Sequence, residues 1–115
     1  MREVIAIIRR ERARRTKEAC RAAGLSLTSW SVVGRGKERG LRYHSRSGKG
    51  SEAGISFLHK VMLTMMVRDE DVDGVVKLII EQNCTGSVGD GKVFVCPVEE
   101  AVRIRTGEKG VEALV

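Results

Sequence analysis

The chain has 115 residues, with 21 Lys and Arg against 15 Asp and Glu and a formal net charge of +6. This length predicts one domain that oligomerisation would stabilise, and the charge favours polyanions, nucleotides or acidic protein surfaces as partners. No apolar run is long enough to span a membrane, and the N-terminal segment turns charged too early for a signal peptide, so we expect a cytoplasmic protein without membrane insertion. The widely spaced cysteines form no C-x-x-C pair, so we expect neither disulfides nor a zinc site.

The first part of the chain predicts a strand, a helix and a second strand. Arg2 to Ile8 is short and mostly apolar, as expected of a strand. Glu11 to Ala23 contains helix formers with one small apolar stripe, and Gly24 is a typical residue to end a helix. Leu27 to Val33 predicts the second strand.

The segment from Gly34 to about Phe57 is rich in glycine and serine and has neither a helical nor a strand period. We interpret it as a loop of about twenty residues, a length that often marks a functional loop. It begins GRGKERG, and up to Gly50 its only acid is Glu38 among many Lys and Arg. Composition alone favours a solvated tether, whereas the functional reading is a flexible arm reshaped by a ligand at its base.

The second part repeats the strand-helix-strand order. Lys60 to Arg68 alternates apolar residues on both faces and predicts a central strand. Asp69 is a good N-cap for a helix whose apolar residues from Val72 to Ile80 repeat at helical spacing. Lys92 to Val98 predicts a further strand, and Val102 to Arg105 alternates with period two, as a short extended segment would.

This order predicts an α+β fold, a ferredoxin-like βαββαβ sandwich formed by a single domain over residues 1–115. Two helices can cover only one face of a four-stranded sheet. Because the strands carry apolar residues on both faces, we expect the uncovered face to pack against sister subunits.

The sequence TGSVGDGK, Thr85 to Lys92, raises the possibility of a phosphate-binding loop. It satisfies G-x-x-x-x-G-K, but Val93 stands where the Walker loop has Ser or Thr, and a strand follows instead of a helix. We therefore reject an NTPase loop. A glycine-rich turn before a strand can still offer backbone N–H groups to an anion, with Lys92 as a nearby charge.

Arg103 and Arg105 lie two residues apart on the predicted extension, so their guanidinium groups would point to the same side, as a phosphate clamp requires. The alternative is a solvated basic edge that deters aggregation. His44 and His59 have no partner at ligand or triad spacing, and no nucleophile-base or carboxylate pair stands out. The residues therefore do not indicate an enzyme.

Three segments together resemble the PII signal-transduction proteins of nitrogen metabolism: MREVIAIIR, GRGKERG and TGSVGDGKVFVCPVEEAVRIRTGE. The GRGK start of the loop and the PVEEAVRIRTGEKG ending are most similar to the nitrogen-fixation-associated subgroup. The resemblance implies a homotrimer with ATP or ADP in clefts between subunits, and a flexible T-loop over residues 35–57 that engages a target protein. It implies a sensor of these nucleotides and 2-oxoglutarate.

By similarity, the nucleotide cleft is lined by nine residues, Arg103 and Arg105 coming from the adjacent subunit. These are Thr28, Gly36, Lys37, Gly89, Asp90, Gly91, Lys92, Arg103 and Arg105. Lys60 matches the lysine that pairs with 2-oxoglutarate, which family members bind through a magnesium ion shared with ATP. Glu38 stands where many members have a glutamine that ligates this magnesium. A carboxylate can also ligate magnesium, but beside an anionic 2-oxoacid it would weaken binding.

For the nitrogen-fixation subgroup the implied target is dinitrogenase, and for the broader family it is an ammonium channel or glutamine synthetase. Tyr43 lies outside the tyrosine motif of uridylylated members, so we predict no uridylylation there.

A competing hypothesis is a basic ferredoxin-like RNA-binding domain, whose central strands need aromatic residues to stack bases. The chain has few aromatic residues, so we rank RNA binding lower and expect no nucleic-acid partner.

Overall fold

The computed structural model describes residues 1–35 and 57–115. In these two segments the chain forms four strands and two α-helices: β1 (Arg2–Arg9), α1 (Ala13–Ala22), β2 (Thr28–Gly34), β3 (Leu58–Val67), α2 (Val72–Asn83) and β4 (Gly91–Pro97). The strands form one antiparallel sheet in the order β2-β3-β1-β4. This arrangement confirms the predicted ferredoxin-like fold.

The core lies between one face of the sheet and the two helices. In the register of β1 with β3, Val4 pairs with Met65 and Ala6 with Leu63, and all four side chains are buried. Ile79 of α2 is also buried in this cluster. The prediction that the third strand is central is confirmed, because β3 lies between β2 and β1.

The predicted end of α1 at Gly24 is confirmed, whereas the predicted start of the second helix is not. Gly24 follows α1 with a positive φ of 74°, and the N–H of Leu25 donates to the carbonyl of Cys20 over 2.9 Å, a Schellman ending. The prediction that Asp69 caps the next helix is wrong, because a 3₁₀ turn over Asp69–Asp71 precedes α2. The carboxylate of Asp69 instead accepts a hydrogen bond from the amino group of Met1 over 2.8 Å, which lowers the pKa of Asp69.

The chain after β4 does not form the predicted extended segment. Val102 makes an isolated bridge to Lys109, and the residues between them turn back, with the Gly107 N–H donating to the Arg103 carbonyl over 2.7 Å. Gly107 and Gly110 both have a φ of 75°, a conformation that glycine adopts easily and that lets the chain reverse direction. We call the final 3₁₀ segment, Gly110–Leu114, the C-terminal turn.

The sheet face opposite the helices has an apolar centre, and it is bordered by the loop that precedes β4 and by the C-terminal turn. Cross-strand pairing places Ile5 and Phe94 side by side on it, and Ile7, Met62 and Trp30 in the next row. Trp30 and Phe94 are 45% and 47% exposed. We call this surface the open face. In the part of the chain that the structure describes, no helix is long and apolar enough to cross a bilayer.

Candidate functional site

The residues Thr85 to Gly91, which we call the glycine loop, are organised around one carboxylate. Asp90 accepts hydrogen bonds from the Thr85 N–H over 2.7 Å, from the Thr85 hydroxyl over 2.5 Å and from the Gly86 N–H over 3.1 Å. These bonds favour the charged form and lower the pKa of Asp90 to about 2, with the Thr85 hydroxyl as the largest cause. Asp90 therefore holds the loop closed.

Glycine is required at the points where this loop bends and meets the sheet. Gly86, Gly89 and Gly91 all have positive φ, at 82°, 98° and 116°. At Gly91 a Cβ atom would collide with the carbonyl oxygen of Ile7 on the neighbouring strand. The glycines of TGSVGDGK thus shape a loop that lies close against β1.

Three cations surround the loop at one end of the open face. Arg9, at the end of β1, donates from Nη2 to the Val88 carbonyl over 2.7 Å, and its Nε lies 3.5 Å from Oδ1 of Asp90. Lys60 lies opposite Arg9 in the register of β3 with β1, and it donates from Nζ to the Gly89 carbonyl over 2.9 Å. Lys92 pairs with Ile7 on the same face and is exposed.

This arrangement combines cations with the backbone N–H groups of a glycine-rich loop, which are the groups that bind phosphates in proteins. The structure brings Lys60 together with the predicted residues Gly89 to Lys92. Arg9 and the hydrogen bonds from Thr85 to Asp90 were not predicted from the sequence. Arg9 continues the outward alternation of Ile5 and Ile7, but only the β1–β4 register shows that this face ends at the loop.

Thr28 lies away from the glycine loop, on the opposite edge of the sheet. Its strand β2 is separated from β4 by β3 and β1, a distance of about 14 Å at ordinary strand spacing. Thr28 borders a shallow groove of about 250 Å³ between the β2–β3 edge and the C-terminal turn. The groove is lined by Ser26, Leu27, Thr28, Thr64, Met66, Ala113 and Leu114.

Arg103 is linked to the same groove through the C-terminal turn. Its guanidinium donates to the carbonyls of Glu112 and Val115 over 2.7 and 2.5 Å and to the carboxylate of Glu108 over 2.5 Å. Arg105 is exposed and lies in the turn that follows. The strand geometry on which the paired clamp was predicted is absent here, since residues 104–106 form a turn. Their role toward a nucleotide stays a prediction.

The remaining predicted residues, Gly36, Lys37 and Glu38, lie outside the described residues, as does Tyr43. The described segments contain no group of three His, Cys, Asp or Glu side chains suited to a metal ion. The predicted site thus divides into two described regions. The glycine loop with its cations lies at the end of the open face where β1 ends and β4 begins, and Thr28 with Arg103 lies at the groove beside β2.

Comparison with known sequences gives this arrangement its context. Residues 1–108 match the family described as "Nitrogen regulatory protein P-II". The chain belongs to the P-II nitrogen regulatory protein family. P-II proteins are regulatory signalling proteins that form trimers, bind ATP or ADP and 2-oxoglutarate as effectors, and act on protein targets.

Two relatives align with almost the whole chain. A "Nitrogen fixation nifHD region GlnB-like protein 2" of Methanobacterium ivanovii is 40% identical over 121 residues, covering 99% of this chain and 99% of the relative. "Nitrogen regulatory protein P-II 2" of Methanothermobacter thermautotrophicus is 44% identical over 115 residues, covering 99% of this chain and 97% of the relative. The resemblance to P-II proteins predicted from the sequence is therefore confirmed.

Proposed function

We propose that this P-II protein is a cytoplasmic sensor that binds ATP or ADP in clefts between the subunits of a homotrimer. The observation that carries the proposal is the division of the candidate residues between two separate regions of one sheet. The glycine loop, Lys60 and Lys92 form one half-site, and Thr28 with Arg103 forms the other. A cleft between two copies brings the two halves together, whereas one chain does not.

The open face supports the trimer. Trp30, Met66 and Phe94 are each more than 40% exposed on a face that the described residues leave mostly uncovered. A contiguous apolar face of this kind marks an interaction surface. Sister subunits of a trimer would cover it, and would also bring the glycine loop of one copy beside the Thr28 groove of the next.

We further propose that 2-oxoglutarate and magnesium bind next to the nucleotide, with Lys60 pairing with the oxoacid and Glu38 ligating the metal. Lys60 already lies at the glycine loop, 2.9 Å from the Gly89 carbonyl. Its ammonium group has three donors, so it can keep this bond and still meet a carboxylate. The effector state would reach the target through the T-loop, residues 35–57.

The names of nitrogen-fixation-region relatives favour dinitrogenase as the target. An ammonium channel or glutamine synthetase is the alternative within the same class. Binding of the purified protein to each candidate, measured with ATP, with ADP and with 2-oxoglutarate, would identify the target. A target whose binding changes with the effectors is the expected result.

Calorimetric titration with ATP and magnesium, repeated with 2-oxoglutarate, tests the sensor. We expect ATP to bind and 2-oxoglutarate to tighten its binding. Asp90→Ala and Arg103→Ala should each weaken nucleotide binding while the protein stays trimeric in light scattering. ATP affinity that is undiminished in both variants would contradict the assignment of the site.

RNA binding is the competing function, and the exposure of Trp30 and Phe94 beside Lys60 and Lys92 on the open face is the observation that favours it. Single-stranded RNA that binds in a salt-sensitive manner and displaces ATP would support it. A trimer that buries the open face would remove these rings from the surface.

A further inference from the structure

We propose that Arg9 is a positioning residue for the glycine loop, which fixes the Val88–Gly89 peptide so that the Gly89 N–H is presented to a nucleotide phosphate. This inference rests on the proposed nucleotide-binding function. It assigns to Arg9 a role in shaping the site, separate from the roles of Lys60 and Lys92.

The geometry of the turn gives the central peptide two alternatives. Val88 and Gly89 are the middle residues of a turn, and the φ of 98° at Gly89 is that of the third residue of a type II turn. Type I and type II turns differ mainly in the side to which the central carbonyl points. Glycine tolerates both, so the sequence of the turn does not choose between them.

Arg9 selects one of these orientations. Its Nη2 donates to the Val88 carbonyl over 2.7 Å, so this carbonyl points toward the end of β1. In a planar trans peptide the N–H points opposite to the C=O. The Gly89 N–H therefore points away from Arg9, and among the described residues it donates no backbone hydrogen bond.

Two further contacts stiffen the same arrangement. Lys60 holds the next carbonyl, that of Gly89, over 2.9 Å. The Nε of Arg9 lies 3.5 Å from Asp90, the residue that closes the loop around Thr85. Arg9 thus ties both the turn and its closing carboxylate to β1.

The exposure of Arg9 and Lys92 indicates which of the two can contact a ligand directly and which acts by positioning the loop. Only 25% of the Arg9 side chain is exposed, and its guanidinium is already engaged by the loop. Lys92 is exposed at the same end of the face and is free to move toward a ligand. Arg9 consequently acts on a phosphate through the backbone of the loop.

The test compares Arg9→Ala and Arg9→Lys with Arg10→Ala, which removes the same charge from an exposed neighbouring position. The first measurement is amide hydrogen exchange of residues 85–91 in the nucleotide-free protein. We expect exchange at least tenfold faster in Arg9→Ala. A charge-assisted hydrogen bond of this kind shifts the equilibrium between the held and the released loop by about one order of magnitude or more. Arg9→Lys should restore part of the protection, and Arg10→Ala should match the parent.

The second measurement is calorimetric affinity for ATP and for adenosine. Positioning predicts about a tenfold loss for ATP in Arg9→Ala, a smaller change for adenosine, and faster loop exchange before any ligand is added. Weaker ATP binding with unchanged exchange would make Arg9 a direct phosphate ligand and overturn the inference, as would no change in either measurement.

Failure of the proposed function would be distinguishable, because the parent protein itself would then bind no ATP. The exchange comparison would still report whether Arg9 holds the loop. If Arg9→Ala does not fold, Arg9→Lys keeps the test valid. Its single ammonium group cannot contact the Val88 carbonyl and Asp90 in the planar geometry of a guanidinium, so intermediate protection is expected.

Discussion

The guanidinium of Arg103 donates a hydrogen bond from Nη1 to Oε2 of the Glu108 carboxylate over 2.5 Å. Nη2 of the same group carries two hydrogens and donates to two carbonyls of the C-terminal region, at Glu112 and Val115. A guanidinium grips a phosphate bidentately through Nη2 together with either Nη1 or Nε. Both arrangements need Nη2, so a bidentate clamp requires the C-terminal turn to release Arg103.

Glu108→Gln removes one of the contacts that hold Arg103, so it should make this release easier and strengthen ATP binding. The gain should be up to about fivefold, because a partly exposed ion pair contributes at most about 1 kcal/mol to holding Arg103 in place. Calorimetry would measure the affinity. Glu100→Gln is the matched control, since Glu100 also pairs with a cation of this region, Lys109, over 3.4 Å, but does not contact Arg103. Weaker ATP binding in Glu108→Gln would mean that Glu108 orients Arg103 for the nucleotide.

Gly91→Ala should destabilise the protein, whereas Gly74→Ala should stabilise it slightly. At Gly91 the φ of 116° and the carbonyl of Ile7 leave no room for a Cβ atom, and strain of this kind costs about 1–3 kcal/mol. At Gly74, within α2, a Cβ atom meets nothing within 4 Å, and alanine in a helix gains about 0.5–1 kcal/mol over glycine. Denaturant unfolding of the two variants would give the opposite signs. A stable Gly91→Ala protein would show that β1 and β4 can separate there.

Much of the fold was predictable because it depends on local patterns. The alternation of Val61, Leu63, Met65 and Val67 identified a central strand, and Gly24 marked the end of α1, since both signals lie within a few residues. The prediction for Asp69 failed because its carboxylate is drawn to the amino group of Met1, a contact between residues far apart in sequence. Local propensity does not contain such contacts.

The candidate site was predictable where the motif itself forms it. Asp90 and the glycines of TGSVGDGK close the loop with their own backbone and side chains. The alternation of Val102 to Arg105 misled, because Gly107 and the contacts of Arg103 with the C-terminal turn reverse the chain. Arg9 was missed because its role depends on the pairing of β1 with β4, which the sequence does not specify.

Asp90→Asn should remove a stabilisation that depends on pH. The folded pKa of Asp90, about 2, lies below the ordinary value of 3.8, so the charged carboxylate stabilises the fold above about pH 4. This contribution is lost as the pH falls from about 4 toward 2. Thermal unfolding should show the parent more stable than Asp90→Asn at pH 6, with the difference shrinking below pH 4. A difference that stays constant down to pH 2.5 would contradict the role of the charged carboxylate.

Ile7→Lys should dissociate the proposed trimer without unfolding the subunit. Ile7 lies in the middle of the open face, between Met62 of β3 and Lys92 of β4 in the cross-strand register. In a single subunit the new ammonium group would reach water, whereas in a trimer that buries this face it would be desolvated without a partner, which is strongly unfavourable. Ile80→Lys is the matched control, because Ile80 is 52% exposed on α2, the helix that packs against the other face of the sheet. Light scattering should give a monomer mass for Ile7→Lys and a trimer mass for Ile80→Lys, with both variants folded by circular dichroism. A trimeric Ile7→Lys protein would mean that the open face is not the interface, and the division of the nucleotide site between neighbouring copies would then lose its basis.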